Sequence, residues 1–383
     1  MTNKKLGLNT ICTHVGGVTD EQFKGAVSPI YMSTVYAFQD TDIMRYPRAF
    51  NTPNQSHLAK KIAMLEQAEA AMLFSSGMAA VSSTFLTFLK AGDHVVVQQP
   101  LYGGTHHFVK ETLSNYGIEF TFTQNSDIDS FEQVIKPNTK LIHIETPSNP
   151  LMTITDIAAV AALGKDKGVI TTIDNTFATP INQNPLDFGI DIVIHSATKY
   201  MGGHSDIQAG AVAASQEHIN AIWHVAKDLG GNLNDFTVWL LERSMKTMGL
   251  RVKAQNRNAK KLAKYLYEHD DVKAVYYPGL KSHPQYNLAK AQLKGFGGML
   301  SFELVDGLNA ELFLKSLKLI KPAMSLAGVE STMLLPSQTS HALLTASERQ
   351  AIGVTDQLIR FSVGIESKTD LMTDIEQALL QIK

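Results

Sequence analysis

A lysine that follows two hydroxyl side chains at the end of a strand is equipped for Schiff-base chemistry, and Ser196-Ala197-Thr198-Lys199 has that form. It comes just after an apolar run, Asp191-Ile192-Val193-Ile194-His195. It also stands 25 residues after Asp174, which closes a second run, Val169-Ile170-Thr171-Thr172-Ile173. An amine held there can condense with an aldehyde, the hydroxyls of Ser196 and Thr198 can bind a phosphate, and the aspartate can hold a proton on a pyridine nitrogen. A strand-end aspartate is costly to bury unpaired, and a protonated pyridine nitrogen would pair it. Lys199, desolvated enough to be neutral part of the time, would be the nucleophile. Together these residues point to pyridoxal phosphate, although singly they also describe a surface lysine and a helix-capping aspartate.

Three further signals fall in an order that could build one site. Ser75-Ser76-Gly77-Met78 stands where a strand turns into a helix, and backbone amides at a helix start can bind phosphate. Tyr102-Gly103-Gly104-Thr105 offers an aromatic ring beside two glycines, able to lie flat on a heteroaromatic ring. Glu145-Thr146-Pro147-Ser148-Asn149-Pro150 follows an apolar run, and ligands of open α/β sheets bind beyond the carboxyl ends of strands, where Asn149 and Asp174 would fall. Each reads equally as a plain cap or turn when taken alone. No GxGxxG, GxxxxGK[ST], GxSxG or HExxH occurs, so dinucleotide, P-loop, hydrolase-elbow and zincin chemistries lack their loops. The 13 histidines show no metal-ligand spacing, and no metal is expected.

The elements that must position these residues alternate along the chain. Residues 1–55 mix short apolar pieces with Gly, Pro and Asn, too irregular for a core, and suit an arm that packs on another subunit. Over residues 56–245, apolar runs near 71–74, 94–97, 118–123, 141–144, 169–173, 191–194 and 209–213 predict seven strands separated by helices. That pattern implies an α/β fold with a mostly parallel sheet covered on both faces. A long helix from Leu240 to about Glu268 and a smaller C-terminal α/β domain over 246–383 would follow, with strands at 299–304 and 358–363.

Composition narrows the class. The chain has 383 residues, 44% hydrophobic, and a net charge of −2, which gives no reason to expect nucleic acid or an anionic membrane surface. The start, Met1-Thr2-Asn3-Lys4-Lys5, lacks an apolar stretch of signal-peptide length, and no run approaches a membrane span, so a cytoplasmic enzyme is expected. The single cysteine, Cys12, excludes an internal disulfide framework.

Beyond the individual residues, the motifs resemble the γ-family of fold-type I pyridoxal phosphate enzymes that handle sulfur amino acids, a group that includes cystathionine γ-synthase, cystathionine γ-lyase, cystathionine β-lyase and methionine γ-lyase. The likeness runs from Gly25-Ala26-Val27-Ser28-Pro29-Ile30-Tyr31 to Arg360-Phe361-Ser362-Val363-Gly364-Ile365-Glu366. Between them lie SSGM, YGGT, ETPSNP, Ile173-Asp174-Asn175, SATKYMGGHSD at 196–206 and SLAGVES at 325–331. The resemblance implies that Lys199 carries pyridoxal 5′-phosphate and moves protons, that Asp174 pairs with the ring nitrogen and that Tyr102 stacks on the ring. Gly77 and Met78 amides with Ser196 and Thr198 would bind the phosphate, helped by Tyr46 and Arg48 from a neighbouring subunit. Arg360 would grip the substrate α-carboxylate, assisted by Asn149 and the backbone around Ser325. It further implies a homotetramer whose sites are shared across a dimer.

Among the family's activities, the resemblance favours cystathionine γ-lyase, followed by cystathionine γ-synthase, then cystathionine β-lyase or a methionine or homocysteine γ-lyase. A non-catalytic cofactor-binding protein would be expected to lack one of Lys199, Asp174, Tyr102 or Arg360, and all are present. The departures from the family pattern lie in the distal pocket. His107 stands where an arginine is frequent, Arg45 precedes Tyr46-Pro47-Arg48 in place of an acidic residue, and Ser340-His341 lacks the usual preceding Met-Thr. Glu330 resembles the acidic residue of γ-synthases and γ-lyases, while Gly104 stands where methionine γ-lyases carry cysteine. Arg45, His107 and Glu330 are therefore the candidates for recognising the distal end of the substrate.

Overall fold

The computed structural model describes residues 6–340, 342 and 345–383; the first five residues of the arm and His341 lie outside the described residues. Seven strands form the larger sheet: β1 (Ala70–Phe74), β2 (His94–Val97), β3 (Glu119–Phe122), β4 (Thr139–Glu145), β5 (Ile170–Asp174), β6 (Ile192–His195) and β7 (Gly210–Ala214). Their order is β1-β7-β6-β5-β4-β2-β3. β7 runs antiparallel to both neighbours and the other pairings are parallel.

Apolar runs without alternation are what such a sheet requires, because both of its faces are covered. Val95, Val97, Ile192 and Ile194 join the apolar layer on one face, while Val96 and Val193 join the layer on the other. Neighbouring strands end in step: Glu145 lies opposite Asp174, and Asp174 opposite Ile194. The segments that leave β4, β5 and β6 consequently emerge side by side.

A second sheet follows, made of β8 (Val272–Tyr276), β9 (Met299–Leu304), β10 (Lys321–Pro322), β11 (Thr332–Leu334) and β12 (Leu358–Ser362), ordered β10-β11-β12-β9-β8. Leu300, Phe302, Phe361, Leu371 and Ile375 are fully buried in its core. β10 is a two-residue edge strand containing Pro322, a position where a missing N–H is tolerated.

The long helix expected from Leu240 to Glu268 is instead two, Asp235–Met245 and Met248–Tyr267. An unbroken helix would give the Ser244 carbonyl to the Met248 amide. Here Arg251 Nη2 donates to that carbonyl at 2.9 Å and the Thr247 amide at 3.3 Å, so the turn is diverted. Within the arm, a short helix at Leu8–His14 buries Ile11 and Cys12 against the main core, and Lys61 Nζ donates to the Cys12 carbonyl at 2.9 Å. The stretch beyond it leaves Phe23, Met32, Val35 and Phe38 exposed.

Candidate active site

A cavity of about 710 Å³ opens at the carboxyl ends of β4, β5 and β6 and reaches the second sheet. One end is built by the helix Gly77–Phe88, whose first amides have no intrahelical acceptor. Ser76 starts that helix by accepting the Ala79 N–H at 3.0 Å. Close approach explains a glycine on each side of this start: a Cβ on Gly77 would stand 2.8 Å from Ser196 Cβ, and one on Gly210, the first residue of β7, would run into the Ser76 carbonyl. The helix start and the Ser196–Lys199 turn therefore touch. Thr198 Oγ1 donates to the Ala209 carbonyl at 3.1 Å and accepts its N–H at 2.9 Å, which anchors the turn to the chain leading into β7.

At the other end of the turn, Lys199 Nζ donates to Ser325 Oγ at 2.8 Å. Burial, then the nearby Arg360 charge, lower the Lys199 ammonium to about 8, with Asp174 pulling the opposite way. Asp174 closes β5 and accepts the Thr176 N–H at 2.9 Å, while desolvation raises its carboxyl. Thr176 Oγ1 in turn accepts the Ser196 N–H at 2.8 Å, tying the two strand ends together.

Arg360 sits on β12 and is buried. Its Nη1 donates to Asn149 Oδ1 at 3.0 Å and its Nη2 to the Ser325 carbonyl at 3.1 Å. Ser325 holds a left-handed backbone, φ 74°, which brings its carbonyl and its hydroxyl to two different cationic side chains. The Tyr102 ring lies across Gly104, where a Cβ would come within 2.5 Å of Tyr102 Cε1, so the glycine leaves room for the ring. Nearly half of Tyr102 is exposed, and its open side faces the cavity that it lines.

The structure thus gathers Gly77, Met78, Tyr102, Asn149, Asp174, Ser196, Thr198, Lys199, Ser325 and Arg360 around one space, with His107 at its rim. Four of the sequence-derived candidates lie elsewhere on this chain. Arg45 Nη1 donates to the Asn51 carbonyl and Arg48 Nη1 to the Lys227 carbonyl, both at 2.7 Å. Tyr46 is more than half exposed, and Glu330 stands exposed beside Gly328. None of the four lines the cavity.

One buried group was not singled out from sequence. Glu145 closes β4 with 4% of its surface exposed, and its two carboxyl oxygens accept the N–H groups of Asn149 (2.9 Å) and Tyr102 (2.8 Å). Desolvation and the Asp174 charge push it up to about 8 against the pull of these two amides and of Arg360. Its signal in the sequence is an acidic residue at the end of a strand whose neighbour also ends in one.

The residues fit pyridoxal phosphate by their donors and their space. Helix-start amides and a hydroxyl meet at a close-packed cradle, and the same cavity is lined by an amine whose hold on its proton is weakened and by a carboxyl with a raised affinity for one. Among the described residues there is no group of three or more side chains able to hold a metal ion, and no helix long and apolar enough to cross a membrane.

Comparison with known proteins agrees with this geometry. The family model described as "Cys/Met metabolism PLP-dependent enzyme" matches residues 9–380. A cystathionine gamma-lyase of Bacillus subtilis (strain 168) is 45% identical over 97% of this chain and 99% of its own length. The cystathionine beta-lyase MetC of the same organism is 43% identical over 94% of this chain and 93% of its own. The crystal structure of cystathionine gamma-lyase from Lactobacillus plantarum complexed with L-serine superposes with a TM-score of 0.95 at 38% identity, covering 98% of this chain and 99% of that one.

Proposed function

We propose that this chain, which belongs to the Cys/Met metabolism PLP-dependent enzymes, cleaves cystathionine by γ-elimination, with water, to cysteine, 2-oxobutanoate and ammonia. As a member of that family it is an enzyme and its cofactor is pyridoxal 5′-phosphate. The bound cofactor supplies an electron sink for the charge left on the substrate α-carbon when a proton departs. The protein's residues do the rest. Arg360, held by Asn149 and Ser325, takes the α-carboxylate as a fork. Lys199 Nζ, partly neutral because of burial and Arg360, accepts the Cα proton and, once that has moved on, a second one from Cβ, whose electron pair expels the sulfur from Cγ. Asp174 keeps a proton on the pyridine nitrogen, and the Tyr102 hydroxyl or the protonated Lys199 Nζ hands one to the departing sulfur.

The observation that carries this reading is the one cavity lined by Lys199, Asp174 and Arg360, in which both charged groups act on the Lys199 amine. The preference for γ-elimination rests on the 45% identical relative and the structural neighbour, both cystathionine gamma-lyases. Gly104, covered by the Tyr102 ring, favours it over the methionine γ-lyase arrangement, since a cysteine there would push the ring aside. The 43% relative supports a second reading, β-elimination. The two separate cleanly by product: γ-elimination from cystathionine gives cysteine with 2-oxobutanoate, whereas pyruvate with homocysteine would overturn it. Cystathionine formed from an acylated homoserine and cysteine, with no cleavage, would make the chain a γ-synthase.

Residues 56–245 are read as the cofactor-binding domain, 246–383 as the smaller domain, and 1–55 as an arm whose exposed apolar residues pack on a neighbouring subunit, bringing Tyr46 and Arg48 to its phosphate site. That reading requires an assembly of at least two chains, and the family resemblance makes it a homotetramer, read as cytoplasmic. Light scattering that returned the 42.0 kDa mass of one chain would contradict it.

A further inference from the structure

Resting on the assignment of Arg360 to the substrate carboxylate, we propose that Glu145 takes up a proton when a carboxylate ligand enters the cavity, so that substrate binding is coupled to neutralisation of a buried glutamate. Glu145 serves two binding residues at once: its oxygens hold the backbone of Tyr102, the ring stacker, and of Asn149, the partner of Arg360. Those contacts are to neutral amides. The cation that helps keep Glu145 ionised is Arg360, whose nitrogens are engaged by Asn149 Oδ1 and the Ser325 carbonyl.

The surroundings of Glu145 set the direction of the proton. From β5, Asp174 lies directly opposite in register and repels it. From β12, Arg360 attracts it, and Lys199, beyond β6, partly offsets the charge of Asp174. Beyond β2 stands the neutral amide of Gln98, whose Nε2 donates to the Glu145 carbonyl at 2.8 Å. On β4 itself His143, two residues back, is kept neutral by complete burial. An arriving carboxylate shares the Arg360 charge and adds a third negative group to a desolvated space. Asp174 has a positive partner in the protonated pyridine nitrogen. Glu145 has only Arg360, whose charge the ligand now shares, so it is the group that gains the proton. The burial that already lifts it to about 8 makes that gain possible at ordinary pH.

Propionate, a carboxylate without an amine, separates this step from chemistry at the cofactor. The holoenzyme is titrated with propionate by calorimetry near pH 8 in two buffers of different ionisation enthalpy while the visible spectrum is recorded. The expected result is net uptake of a fraction of one proton per site, because burial raises the Glu145 carboxyl and part of the population already holds the proton before binding. The visible band should stay unmoved, and Glu145→Gln should abolish the uptake. Binding without uptake, or uptake matched by a change in the band, overturns the proposal and leaves the assignment of Arg360 standing. Propionate that neither binds nor inhibits overturns both, while the cystathionine products still judge the reaction separately. Should Glu145→Gln fail to fold, the wild-type buffer comparison and spectrum decide alone.

Discussion

At the scale of single residues, the chemistry depends on how far the fold shifts one amine. An ordinary lysine at 10.5 is almost wholly protonated at neutral pH, whereas Lys199 is brought to about 8 by burial and by Arg360. The sign can be tested on cofactor-free protein. Only the neutral amine condenses with an aldehyde, so the rate of capturing pyridoxal phosphate should fall about tenfold per pH unit below 8 and level off above it. A rate still rising steeply beyond pH 9 would mean an unshifted lysine. This shift cannot be read from the tetrapeptide Ser196-Ala197-Thr198-Lys199, because two of its causes, burial and Arg360, come from packing and from a residue far along the chain. The identity of the residue was legible, but its state was not. Glu145 was overlooked for the same reason, since a glutamate before Thr-Pro looks like any strand-end acid until its register against Asp174 is known.

At the scale of elements, the larger sheet was legible because buried parallel strands consist of unbroken apolar runs, and all seven expected runs are strands. The second sheet was only partly so. β9 and β12 stand out by their apolar residues, although Ser301, Glu303 and Arg360 interrupt them, while β8, β10 and β11 are short or half-buried. The break at Lys246–Thr247 depends on Arg251 reaching back to a carbonyl, which no local pattern announces. The core strands also carry a pH dependence. His143 on β4 donates or accepts at Thr172 Oγ1 (2.8 Å), and burial lowers it to about 3; His94 on β2 lies between Thr139 and Thr121 and is lowered to about 4. Below 6.5 the unfolded chain binds these protons and the folded chain does not, so stability is full above 6.5 and falls as pH drops toward 4. One histidine contributes at most about 1.4 kcal/mol per pH unit to that slope. His143→Leu should make the loss of the urea midpoint between about pH 6.5 and 4 shallower. An unchanged slope would show that His143 is not held neutral.

At the scale of the whole molecule, the site is assembled from segments that are distant in sequence and meet in one cavity: a helix start at Gly77, the strand ends at Glu145, Asp174 and His195, the Ser325 loop and β12. Their co-occurrence was legible as motifs in a fixed order, and the strand-end rule for open α/β sheets explains why they converge. The distal pocket was less so. His107 reaches the rim, but Arg45 and Glu330 point to their own surroundings on this chain, and the arm carries exposed apolar side chains that a single chain does not cover. The central claim is that, out of all the lysines in the molecule, Lys199 alone carries the cofactor. Borohydride reduction of the holoenzyme fixes the cofactor to its lysine through a stable C–N bond, and peptide mass spectrometry then locates it. The adduct should be found on Lys199 and nowhere else; an adduct on another lysine, or none on a protein that holds its cofactor, would contradict the account.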